Sequence, residues 1–161
     1  EVPERFHSRL NAKGKKYCYR VNNGKTPHVF DRRYTHMVEE QLDIEAMRRA
    51  AGYRLGTHDF KAFTSNKRSK KSTIRTIDEI EIERNTGMSM ALWGEQDEIS
   101  FTYRGNGFLY HMVRIMTGTL LEIGMHKRKP EDIADILSSG LREKAGELAP
   151  AKGLTLMEVY Y

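Results

Sequence analysis

The run Gly105–Gly124, GNGFLYHMVRIMTGTLLEIG, carries one arginine and one glutamate in a chain whose residues are 30% charged. At 100° per residue, Phe108, Leu109, Met112, Ile115, Met116, Leu120 and Ile123 fall on one wide apolar arc, which reads as a long helix ending at Gly124. Arg114 lies off that arc, one turn from Tyr110 and from Gly118, with His111 and Leu121 at its flanks. A solvent-facing side would hold several Glu and Lys; this one holds Tyr, His, Thr and Gly. A guanidinium on such a side needs a partner, either an anion or carbonyls within the domain. Gly118 costs about 1 kcal/mol of helix propensity relative to Ala, which points to close approach by another segment.

Strand patterns surround this helix. In KKYCYRV (Lys15–Val21), alternation puts Tyr17, Tyr19 and Val21 on one face and Lys16, Cys18 and Arg20 on the other. IRTIDEIEIER (Ile74–Arg84) holds Ile80 and Ile82 in phase, Thr86-Gly87 turns into MSMALWGE, and DEISFTYRG places Ile99, Phe101 and Tyr103 on one face. These runs predict an antiparallel meander with one face buried. LDIEAMRRAAGYRLG (Leu42–Gly56) predicts a helix with Asp43 as N-cap, Glu45 in its first turn, Gly56 as its stop and Ile44, Met47, Ala51 and Leu55 as its apolar stripe. PEDIADILSSG predicts another, with Pro130 at its first position and Gly140 closing it. THDFKAFTSNKRSKKST reads as irregular, and GLTLMEVYY as a terminal strand. The expected fold is α+β: an antiparallel sheet with helices packed mainly on one face.

At 161 residues this is a single domain, 1–161, large enough for a core without staples. One cysteine, Cys18, builds no disulfide framework or Cys-based metal site, and the histidines show no metal-ligand spacing, so no metal site is expected. No apolar run is long enough to span a bilayer and no signal pattern opens the sequence, so a soluble, cytoplasmic setting is the expectation, with no membrane partner. The opening EVPERFHS reads like the inside of a longer protein. Net charge is +5, and its distribution is uneven. Basic residues cluster at Lys13, Lys15, Lys16 and Arg20, at Lys67, Arg68, Lys70, Lys71 and Arg75, and at Lys127, Arg128 and Lys129, while acidic residues gather elsewhere. Segregated basic patches beside aromatics fit a polyanion such as RNA, and they also fit ordinary solvated lysines. Tyr17 among cations reads as a base-stacking platform or as a half-buried core tyrosine. The adjacent His58-Asp59 pair in GTHDF reads better as turn chemistry than as an acid–base site. The residues alone lead to an RNA- or anion-binding α+β domain.

FHSRLNAKGKKYCYRV (Phe6–Val21), LGTHDFKAFTS (Leu55–Ser65), STIRTI (Ser72–Ile77), the Gly105–Gly124 run and APAKGLTLMEVYY (Ala149–Tyr161) occur in this order across nearly the whole chain. Together they resemble the C-terminal half of bacterial tRNA pseudouridine synthases of the TruA type. The resemblance implies an isomerase that converts uridine to pseudouridine in the tRNA anticodon stem-loop, at the family's positions 38–40, without metal or cofactor and as a homodimer. An aspartate starts that reaction; the uracil is detached, turned and rejoined to the ribose through carbon. By position, Arg114 corresponds to the basic residue that pairs with this aspartate, and Tyr17 to the tyrosine that packs on the target base. Phe108, Met112 and Leu154 would line the substrate pocket or the core beneath it, and the first two basic clusters would contact RNA. The family's G-R-T-D-x-G-V-H motif belongs to an N-terminal half and has no match here. The chain is therefore expected to be inactive alone, with the full-length protein as the enzyme; a stand-alone RNA-binding module is the alternative.

Overall fold

A computed structural model describes residues 4–8, 10–25, 30–66, 71–86 and 97–161. Among these residues the elements are β1 (Gly14–Asn22), β2 (His36–Met37), α1 (Ile44–Gly52), β3 (Gly56–Asp59), β4 (Ile74–Thr86), β5 (Asp97–Gly105), α2 (Met112–Gly124), α3 (Asp132–Ser139) and β6 (Leu154–Tyr160). Short 3-10 turns at Lys61–Phe63, Arg142–Lys144 and Ala151–Gly153 connect them. The sheet runs β2-β1-β5-β4-β3, and β6 pairs with β1. Since β5 occupies one side of β1, β6 and β2 share the other: β6 covers Gly14–Tyr19 and β2 covers Val21–Asn22. Every ladder is antiparallel except the two-residue β1–β2 pair.

Tyr19, Val21, Ile77, Ile82, Ile99, Phe101 and Tyr103 of the sheet are buried together with α1 and α2. The opposite phase holds Cys18, Arg20, Glu81, Ser100 and Arg104, so the helices gather on one face, as the alternation predicted. A bulge between Ile77 and Glu79 inserts Asp78 into β4. It brings Ile77 into the same phase as Ile80 and Ile82, which strict alternation would forbid.

α1 has Asp43 as its N-cap, accepting from Ala46 N at 2.9 Å. It ends at Gly52 rather than continuing to Gly56, so Leu55 lies outside it and is 42% exposed. The buried arc is Ala46, Met47, Ala50 and Ala51, and it continues to Arg54, which is fully buried. Arg54 Nη1 donates to Met116 O at 3.2 Å and the guanidinium sits 5.0 Å from the Phe63 ring centroid. Its Nε and Nη2 have no hydrogen-bond partner among the described residues, and burial pulls its pKa from 12.5 down to about 10. A buried cation without a carboxylate is a cost that a similar-sized apolar side chain would remove. Arg54→Met is accordingly expected to raise stability by about 1–3 kcal/mol in urea unfolding; a loss of stability would mean that Arg54 holds the core together.

α2 begins only at Met112, after a bend, so Phe108, Leu109 and Tyr110 precede the helix instead of forming its first turn. Arg114 and Glu122 are its two residues that escape burial. The sheet and α1 cover part of it, and the segment 145–149 covers the side that reads polar in the sequence. A Cβ on Gly118 would stand 1.9 Å from Glu147 O, the close approach its cost implied. The helix ends at Gly124, as read, although that glycine is not left-handed. Its missing Cβ makes room for Met47, whose Sδ would be 2.8 Å away, and the left-handed residue after the helix is His126 (φ 58°). α3 starts at Asp132 with Glu131 as its N-cap, so Pro130 lies just before the helix rather than at its first position; it closes on Gly140 in the left-handed region (φ 61°), as read. Thr57, His58 and Asp59, read as irregular, instead belong to strand β3 paired to β4. The Gly87 turn and MSMALWGE lie outside the described residues.

Candidate active site

β1 carries the tyrosines outward from the core. Tyr19 is fully buried and its hydroxyl donates to Pro150 O at 2.7 Å. Burial pushes its pKa well up, against the opposing pull of nearby Arg114. Tyr17, two residues toward the rim, is half-buried and also shifted upward by burial, so its phenol stays protonated. Its ring meets Phe108 edge-on, centroids 5.2 Å apart at 87°. Phe108 is half-buried against the core, whereas Met112 is fully buried within it. Across β1, Leu154 stands opposite Tyr19 and Leu156 opposite Tyr17, and a bulge at Met157 shifts the register beyond them. Leu156, 48% exposed, is thus the β6 residue beside the Tyr17 ring, one that sequence position did not single out.

Arg114 leaves the first turn of α2 half-buried. Its Nε donates to Ala149 O at 2.6 Å, and Ala149 N donates back to Arg114 O at 3.3 Å. The consecutive carbonyls of Ala149 and Pro150 therefore accept from Arg114 and from Tyr19, joining helix, strand and the approach to β6 at one point. Among the described residues Arg114 makes no ion pair. Its terminal nitrogens remain available to a carboxylate from outside the described chain, in the paired geometry that an arginine fork favours.

The residue before α2, His111, adopts a left-handed backbone (φ 63°, ψ 6°). For a non-glycine residue that conformation costs about 1–2 kcal/mol and persists where surroundings dictate it. Here they do: His111 stacks on Tyr110 (3.7 Å, 26°) and its Nδ1 lies 3.1 Å from Ser65 Oγ. Burial and neighbouring Arg114 lower the His111 pKa, keeping the ring neutral at pH 7. In the sequence His111 stands out only as a flank of Arg114.

The basic residues separate. Lys15 shares the face of Tyr17, while Lys16 points to the opposite face, level with Arg104 and Glu158. Lys13 and Lys71 are exposed. Arg75 bonds to Ser72 O and Ile74 O, and a Cβ on Gly107 would stand 3.7 Å from its Nε, so it reaches the corner before Phe108. Lys67, Arg68 and Lys70 lie outside the described residues. His58 and Asp59 are occupied locally: Nε2 with Leu55 O at 2.7 Å, and Oδ1 with Lys61 N and Thr73 Oγ1. No group of three metal-ligating side chains comes together among the described residues, and no helix there is long and apolar enough to cross a membrane.

The geometry therefore offers a half-buried ring pair, a half-buried cation without an ion-pair partner among the described residues, and one lysine, Lys15, on the face of Tyr17. A family model described as tRNA pseudouridine synthase matches residues 50–161. Over 96% of its length the chain is 49% identical to tRNA pseudouridine synthase A of Halalkalibacterium halodurans, covering 55% of that protein. It is 45% identical over its whole length to the proteins called tRNA pseudouridine synthase A in Acetivibrio thermocellus and tRNA pseudouridine synthase A 1 in Clostridium tetani, covering 62% of each. The chain thus spans little more than half the length of the curated relatives it matches.

Proposed function

The chain belongs to the tRNA pseudouridine synthase family, and on that premise we propose that it is the C-terminal part of an enzyme that isomerises uridine to pseudouridine in the tRNA anticodon stem-loop. The observation that carries this reading is Arg114: a half-buried guanidinium on an otherwise buried helix, anchored through Nε to Ala149 O and without an ion pair among the described residues. A carboxylate brought against it from an N-terminal part would be kept ionised and aimed, which is what an attacking aspartate requires. The reaction gains and loses no atoms: the ring gives up its bond to the ribose through nitrogen and regains one through carbon.

In this reading Tyr17 packs against the target uracil, with Phe108 edge-on behind it and Leu154 and Leu156 continuing the apolar surface. The buried Met112 supports Phe108 from below. The base must leave the helical stack to arrive there, at a cost of a few kcal/mol. Lys13, Lys15, Lys16, Lys71 and Arg75, with Lys67, Arg68 and Lys70 of the same cluster, offset that cost through the phosphates. The protein works in the cytoplasm as a homodimer, without metal or cofactor.

The test compares two proteins on a tRNA transcript. The purified 161-residue chain is expected to bind RNA weakly and to form no pseudouridine, while the complete protein carrying the aspartate motif forms it. Pseudouridine produced by the chain alone, or by neither protein, would sink the reading.

A further inference from the structure

Three hydrogen bonds tie the corner before α2 to the segment that opens the second basic cluster. Thr64 Oγ1 donates to Tyr110 O at 3.1 Å, Ser65 N donates to the same carbonyl at 3.4 Å, and Ser65 Oγ lies 3.1 Å from His111 Nδ1. His111 also starts the helix: its carbonyl accepts from Ile115 N at 3.0 Å, one residue beyond Arg114. Its left-handed backbone turns the chain from the Tyr110 stack into α2, and so fixes the direction in which the first helical turn leaves the corner. Arg114 sits in that turn.

From this geometry we propose that His111 is a positioning residue for the reaction, which holds Arg114 in its working orientation through the Ser65 bond and the left-handed corner. The proposal rests on the reading of Arg114 as the partner of a catalytic carboxylate. His111 touches neither substrate nor reacting atoms; it sets the turn from which the guanidinium projects. Ser65 is the other half of the device, and it links that orientation to the chain entering the basic residues Lys67–Lys71. A misaimed guanidinium affects the chemical step more than binding, because the phosphate contacts do not involve it.

The experiment uses the complete protein and steady-state kinetics on a tRNA transcript. His111→Ala removes the bond and disfavours the left-handed backbone, and is expected to lower kcat about tenfold or more with KM within about twofold. His111→Asn tolerates that backbone and offers a side-chain hydrogen bond, and should return kcat to within about threefold of the parent. Ser65→Ala, at an exposed position, should lower kcat in the same sense. An unchanged kcat in His111→Ala, a loss carried by KM alone, or an Asn variant no better than Ala would overturn the proposal. If His111→Ala does not fold, an unchanged kcat in Ser65→Ala overturns it equally. Failure of the underlying reading looks different: the parent protein makes no pseudouridine, or Arg114→Ala keeps full turnover, and the proposal then falls with it.

Discussion

Arg114→Ala in the complete protein is expected to lower pseudouridine formation about a hundredfold to a thousandfold while leaving tRNA affinity within about threefold. Ala149 O loses its donor from the side chain, but the backbone bond from Ala149 N to Arg114 O survives, so the helix and the 145–150 segment stay together. What disappears is the counter-charge for the proposed carboxylate. Without it, that carboxyl shifts toward its neutral form, and the residual rate should climb as pH rises. Arg114→Lys keeps the charge without the planar fork and should fall between parent and Ala. A module that only binds RNA would respond otherwise, with a small loss of affinity that shrinks as salt is added. Single-turnover rates and filter binding on the same preparations separate the two.

Gly118→Ala is the second large effect, and its sign opposes helix propensity. Alanine would favour an isolated helix by about 1 kcal/mol. In the fold its Cβ would stand 1.9 Å from Glu147 O and 2.9 Å from Glu147 C, both backbone atoms that cannot rotate away. The segment would have to move off α2, stretching the Ala149–Arg114 pair and the Gly146 N to Thr119 Oγ1 bond of 3.0 Å. Net destabilisation of about 2–3 kcal/mol is expected in denaturant unfolding, with activity of the complete protein falling as well. A variant as stable as the parent would mean that the close packing along α2 is not required.

Much of the fold is legible in the sequence because alternation and helical periodicity report burial directly. Tyr19, Val21, Phe101 and Tyr103 sit where period two puts them, and Asp43 caps where a short acidic side chain before an apolar run should. The misreadings have local causes. Leu55 fits the predicted α1 stripe because it is apolar, yet the buried position is Arg54, on the same helical arc as Met47 and Ala50. Residue type outweighed phase there. The periodicity starts α2 too early because Phe108, Leu109 and Tyr110 are apolar or aromatic enough to extend the pattern, and nothing in the letters marks His111 as left-handed. The β6 residue opposite Tyr17 is Leu156 while Leu154 faces Tyr19, a register that one sequence does not announce. For the site, the composition of α2 makes Arg114 and Gly118 stand out, whereas the role proposed for Tyr17 rests on resemblance. The carbonyl partner of Arg114 was among the alternatives that the residues left open, and no local pattern could choose Ala149 across 35 positions.

That last contact bears on how the protein assembles. Arg114 is steadied by Ala149, and the next carbonyl is fixed by Tyr19 across a separation of 131 residues. Contacts of that span form late, since the loop they close must first lose its freedom. α2 can coil by itself, but its arginine is aimed only when the first and last strands of the sheet have both docked. The orientation of that one side chain therefore reports completed folding, and a partly folded chain would carry the residue without the function.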